Sequence, residues 1–67
     1  MISARHIRML TKQGFIGLFW EELARMRKVD ATITHEQVYE ILEGEYQQIF
    51  GLRRYASFRS FRDNRDR

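Results

Sequence analysis

The chain has no cysteine, no proline, only four glycines, only two histidines and no long apolar run. Each shortage narrows what it can be. Without cysteine there are neither disulfides nor thiolate metal sites, so stability must come from packing or self-association. The same absence suits a reducing compartment, and the chain is expected to be cytoplasmic. His6 and His35 alone are too few to complete a zinc site, so no metal or other cofactor is expected. No stretch approaches the roughly 18 apolar residues of a membrane span. The basic residues Arg5, Arg8 and Lys12 precede an apolar stretch from Phe15 to Trp20, the order found in a secretory signal. That stretch is too short, is broken by Gly17 and lacks a small-residue cleavage site. The first twenty residues hold no acid, as in organelle transit peptides, but a processed segment is not expected.

What is present is aromatic and helical. Sixty-seven residues make one domain, and a chain of this size buries only about 60% of its unfolded surface. Five Phe, three Tyr and one Trp supply large buried areas to offset that thin margin. With proline absent, glycines and capping side chains mark the boundaries. Ser3 can cap a first short helix from about Ala4 to Lys12. Gly14 and Gly17 then either separate it from the next helix or bend a longer one. A second helix is predicted from about Phe15 to Lys28, with Ile16, Phe19, Trp20, Leu23 and Met26 in one apolar stripe. Glu21 and Glu22 lie before Arg25, Arg27 and Lys28, an order that opposes the helix dipole.

Thr34 and Gln37 have the spacing of a capping box, and Gly51 stands where a left-handed terminating residue belongs. A third helix is therefore predicted from His35 to Phe50, with Val38, Leu42, Tyr46 and Ile49 on one face. Glu36, Glu40, Glu43 and Gln47 gather on the opposite face. Leu52 to Ala56 reads as a turn, Ser57 can cap a fourth short helix, and residues 64–67 are expected to fray. The fold class is all-α: three principal helices plus a short basic one, with no convincing strand. Phe19, Leu23, Val38, Leu42, Ile49 and Phe61 are the predicted core.

No pattern for catalysis emerges. His35-Glu36-Gln37-Val38-Tyr39 begins like a zincin motif, but Tyr39 stands where the second histidine is needed. Gly14-Phe-Ile-Gly17 matches a nucleic-acid-clamping loop only formally, because that loop needs a mixed α/β domain around it. Glu21 and Glu22 point about 100° apart on a helix and cannot flank a substrate. No nucleophile elbow, phosphate loop or dinucleotide fingerprint is present, so neither an enzyme nor a small-molecule substrate is expected.

The one marked asymmetry is charge. Gly51 to Arg67 holds six arginines against two acids, whereas residues 1–50 carry six basic and seven acidic side chains. Arginine offers a planar, permanently charged fork that fits phosphate oxygens, so this tract is an electrostatic footprint for nucleic acid. The leading expectation is DNA binding by a loose helix-turn-helix built from the third and fourth helices. Arg53, Arg54, Arg59, Arg62 and Arg65, with Tyr55, would form its contact surface. A connection from Gly51 to Ala56 is longer than the usual 3–4-residue turn, which weakens that geometry. Single-strand or RNA binding would instead stack bases on Tyr55, Phe58 or Phe61. The alternative is a protein-interaction adaptor or homodimeric accessory protein, of a kind that phages and mobile elements carry. Phe15, Leu18 and Trp20 would then form its interaction surface.

Overall fold

Four helices make up the computed structural model, which describes residues 3–67: α1 (Ala4–Met9), α2 (Lys12–Arg27), α3 (His35–Phe50) and α4 (Phe58–Arg65). There is no strand among the described residues, and the class is all-α as expected. Among the described residues no helix is long and apolar enough to cross a membrane.

The first two helices divide at Thr11, not at Gly14. Thr11 is extended (φ −103°, ψ 152°) and its hydroxyl accepts the Gly14 N–H at 3.0 Å, so α2 begins at Lys12 and α1 ends at Met9. Both glycines lie inside α2 and face α1. A Cβ on Gly14 would stand 2.0 Å from the Arg8 carbonyl oxygen, so glycine is what lets the end of α1 sit on the first turn of α2. That close approach turns the buried stripe of α2. Phe15, Leu18, Phe19, Glu22 and Leu23 are buried, and Trp20, expected in the stripe, keeps 45% of its surface exposed.

The third helix keeps its predicted bounds because both ends are written locally. Thr34 accepts from the Gln37 N–H at 3.1 Å, and Gln37 accepts from the Thr34 N–H at 2.9 Å. Gly51 (φ 80°, ψ 4°) is left-handed and gives its N–H to the Gln47 carbonyl. The core face is rotated toward Tyr39 relative to the prediction. Tyr39 is fully buried and Glu43 is 1% exposed, whereas Ile49, expected in the core, is 42% exposed. The cause is α4: Phe58 and Phe61 pack on Tyr39, so the segment after Gly51 covers that side of α3 and leaves Ile49 uncovered.

Met9, Phe15, Phe19, Val38, Leu42 and Phe61 join Leu18, Leu23, Tyr39 and Tyr46 in one core. Phe15 and Leu18 are thus occupied within the chain, and of the three expected interaction residues only Trp20 offers substantial surface. Arg5 of α1 ties three helices together. Its guanidinium meets Glu22 of α2 at 2.7 Å and Glu45 of α3 at 2.8 and 3.1 Å, and Arg25 closes on Glu22 from the other side. Burial pushes the Glu22 carboxyl up, but the hydrogen bonds from Arg25 and Arg5 outweigh it and hold it below the usual carboxylate range.

Candidate nucleic-acid interface

Beyond Gly51 the backbone leaves regular structure until α4, and a buried carboxylate holds it there. Glu43 accepts the Arg54 N–H at 2.8 Å, the Tyr55 N–H at 2.9 Å and the Tyr39 hydroxyl at 2.7 Å. Backbone N–H groups that no helix satisfies must find partners elsewhere, and one side chain from α3 meets two of them. The turn predicted at Leu52–Ala56 is therefore an irregular strap fastened to α3. The non-helical stretch spans residues 51–57, longer than a helix-turn-helix connection.

Arg53 points back along this strap. Its guanidinium gives hydrogen bonds to Glu40 at 3.2 Å, to the Tyr39 hydroxyl at 3.3 Å and to the Tyr55 carbonyl at 3.3 Å. Burial, together with the hydrogen bond to Glu43, raises the Tyr39 hydroxyl above the usual phenol range. Arg54 lies over the Tyr55 ring at 5.2 Å. The Tyr55 ring packs against Phe15 and Phe61, and burial pushes its hydroxyl up. The Arg54 Nε and the Tyr55 hydroxyl are both buried without a hydrogen-bond partner among the described residues. These three residues are components of the fold.

The fourth helix has two distinct stripes. Ser57 caps it by accepting the Ser60 N–H at 3.2 Å. Phe58, Phe61 and Arg65, at i, i+3 and i+7, share the inner stripe. Phe61 is fully buried, stacked on Tyr39 at 4.9 Å and packed against Phe19 at 4.9 Å. The Arg65 side chain, only 10% exposed, spreads over Phe19 and Trp20 at 5.6 and 5.4 Å. Its Nη1 meets the His35 Nδ1 at 3.0 Å and its Nε bonds Asp66 at 3.0 Å. Burial, with the charges of Arg65 and Arg27, holds the His35 imidazolium below its usual range, so near neutrality Nδ1 can accept the Arg65 N–H. Residues 64–66, expected to fray, are anchored by this contact and by an Asn64 hydrogen bond to the Ser60 carbonyl at 2.9 Å.

Arg59 and Arg62 occupy the outer stripe, exposed and one turn apart. Among the described residues no carboxylate lies within ion-pair distance of either, nor of Lys12 or Arg67. The six predicted contact residues thus separate physically: Arg53, Arg54, Tyr55 and Arg65 hold the tail in place, and Arg59 and Arg62 face solvent. Lys12 is a further cation near the end of α4, and it shares a hollow there with Arg65 and Arg67. Sequence periodicity could not join residues so far apart, although Thr11 before Gly14 was a readable cap signal. No His, Cys, Asp or Glu cluster among the described residues could hold a metal ion. Compared with protein-family models, curated proteins and solved structures, the chain matches none.

Proposed function

We propose that this protein is a small nucleic-acid-binding module whose phosphate contacts come from the outer stripe of α4. The observation that carries this reading is the pair Arg59 and Arg62. Both are exposed and free of acidic partners among the described residues, on a helix whose other stripe is fixed by Phe61 and Arg65. A cation on a rigid element loses little freedom on meeting a phosphate, which favours contact over a freely moving tail. Arg67 and Lys12 extend the positive surface beyond the helix, while Asp63 and Asp66 temper it. The irregular strap and the two-turn length of α4 favour backbone contact over the deep groove insertion of a helix-turn-helix.

Salt dependence is the direct test. Neutralising about four phosphates should give a log–log slope near −3.6 on duplex DNA, because each contact releases condensed counterions. Replacing Arg59 and Arg62 with alanine should flatten that slope by roughly two units. Replacing Arg27 and Lys28, also exposed, should change it much less. Absence of binding at low salt, or a slope indifferent to Arg59 and Arg62, would leave the protein-adaptor reading in its place.

A further inference from the structure

One surface hollow of about 290 Å³ sets Arg25 beside Asp30, and two larger ones differ from it and from each other in chemistry. The larger, of about 670 Å³, is bordered by Asp30, Glu36 and Glu40 and carries no cation. The smaller, of about 350 Å³, lies between the start of α2 and the end of α4 and is bordered by Lys12, Gln13, Trp20, Asn64, Arg65 and Arg67, with no acid among its lining residues. Its volume is at the lower end of the range that takes a small ligand. Only the second hollow suits an anion.

The polar groups around it are largely uncommitted. The side chains of Lys12, Gln13 and Arg67 make no hydrogen bond among the described residues, and the Arg65 Nη2 likewise has none. Asn64 uses its amide nitrogen on Ser60, which leaves its carbonyl oxygen to accept. Asp63 and Asp66 adjoin these residues in sequence, and Asp66, bonded to Arg65, offsets part of that one charge. Lys12 and Gln13 open α2, whose first turn contains no acid, so the positive end of the helix dipole adds to the local field.

Trp20 supplies the other half of the chemistry. It is 45% exposed yet held rigidly, with Phe19 and His35 set nearly perpendicular to it at 5.0 and 5.7 Å and Arg65 over its ring. A large aromatic surface left partly open beside three cations and free hydrogen-bonding groups is complementary to a planar, anionic, hydrogen-bonding ligand. We propose that this hollow seats one unstacked nucleotide of a single-stranded nucleic acid, its base against Trp20 and its phosphate among Lys12, Arg65 and Arg67. The site rests on the nucleic-acid reading above and narrows it from phosphate attraction to single-strand capture. Rigid aromatic platforms beside basic grooves bind single strands with little sequence preference, because every base has a stacking face.

Trp20 is the only tryptophan in the chain, so tryptophan emission reports on this one side chain and the hollow it borders. Oligothymidylate, a duplex of equal length and poly-glutamate should each be titrated at low salt. Emission follows Trp20, and the anisotropy of labelled oligonucleotide follows binding overall. Oligothymidylate should quench Trp20 with the same midpoint as the anisotropy change. Trp20→Leu should weaken it roughly 5- to 150-fold, the range for losing one stacked base, and Trp20→Phe should weaken it less. Lys12→Gln, at an exposed side chain that supports no internal contact, should flatten the single-strand salt slope by about 0.7. Circular dichroism of each variant checks that it folds. Oligothymidylate binding without quenching, and with Trp20→Leu unchanged, would overturn the nucleotide seat while leaving α4 as the binding surface. Equal quenching by poly-glutamate would overturn base stacking. No anisotropy change with either nucleic acid would overturn both readings together.

Discussion

Glu22 and Glu43 are both buried acids on neighbouring helices, yet one takes its hydrogen bonds from arginine side chains and the other mainly from backbone N–H groups, with the Arg53 Nε no nearer than 3.6 Å. Glu22 sits between Arg5 and Arg25, whose charged ends reach in from partly exposed positions. Glu43 receives the Arg54 and Tyr55 amides and the Tyr39 hydroxyl. The difference lies in what each loses when the partner goes. A long arginine can swing back to water and recover its hydration, whereas an amide held in a strap cannot move without its backbone. Hydrogen bonds between side chains therefore tune the N-terminal region, while hydrogen bonds to backbone define the path of the C-terminal one.

The largest effect should follow from Glu43→Ala, which leaves two strap amides without their acceptor and the Tyr39 hydroxyl with only the Tyr55 carbonyl at 3.4 Å. A loss of about 3–5 kcal/mol is expected, enough to unfold much of a chain this small, read as a shift in urea midpoint. Exchange of the Arg54 and Tyr55 amides should accelerate before the rest of the protein opens. A loss below ~1 kcal/mol would break the comparison, because the strap would then be held by the packing of Tyr55 and Phe61 and by the Arg53 hydrogen bonds to Glu40 and Tyr39.

Gly14→Ala tests whether the N-terminal region has its own backbone constraint. The added Cβ would fall 2.0 Å from the Arg8 carbonyl oxygen, so α1 must shift away from α2. About 3 kcal/mol is expected, the upper part of the range for overpacking, with α1 losing helicity in chemical-shift measurements. Glu22→Gln should cost less, about 1–2 kcal/mol, because it keeps one acceptor oxygen and Arg5 retains Glu45. Equal costs for Glu22→Gln and Glu43→Gln in thermal melts would erase the distinction between the two acids.

Legibility in the sequence followed range. The ends of α3 were readable because Thr34, Gln37 and Gly51 act within one turn of themselves, and the inward placement of Phe58 and Phe61 followed from i, i+3 spacing. The buried stripes were only partly readable. Periodicity locates an apolar face to within a residue or so, and which side of it is covered depends on what packs there. Periodicity therefore leaves Phe15 and Leu18 available for an interaction surface and puts Ile49 in the core, the reverse of what α1 and α4 impose. Glu43 looked solvated because its charge was visible and its partners, eleven and twelve residues later, were not. The arginine count was readable as a total, but its division between Arg53, Arg54 and Arg65 in the fold and Arg59 and Arg62 in solvent required the tertiary contacts.

Acid should weaken the two regions in order, which gives the smallest and most discriminating test. Burial and the charges of Arg65 and Arg27 depress the His35 imidazolium below its ordinary value of 6.5, with Asp66 opposing. As pH falls through 6.5 the unfolded chain takes up a proton that the folded chain refuses. Stability is therefore whole above that value and declines below it until His35 protonates in the folded state. The Glu45 carboxyl, held down by the Arg5 hydrogen bond, and that of Glu22 have folded values below the ordinary 4.5. Their contribution is present above 4.5 and is lost as pH drops through their folded values. Urea midpoints measured against pH should thus show a shallow decline beginning near 6.5 and a steeper one beginning near 4.5. His35→Gln, which cannot titrate but retains an acceptor for Arg65, should flatten the upper decline and leave the lower one intact. Protonation of His35, at the start of α3 against the end of α4, also places a cation beside Trp20, so the upper step should appear in Trp20 emission while the fold stays intact, and the lower step should appear in every probe as global unfolding. An upper step that survives in His35→Gln would assign the first loss to another group and detach the C-terminal anchor from this histidine.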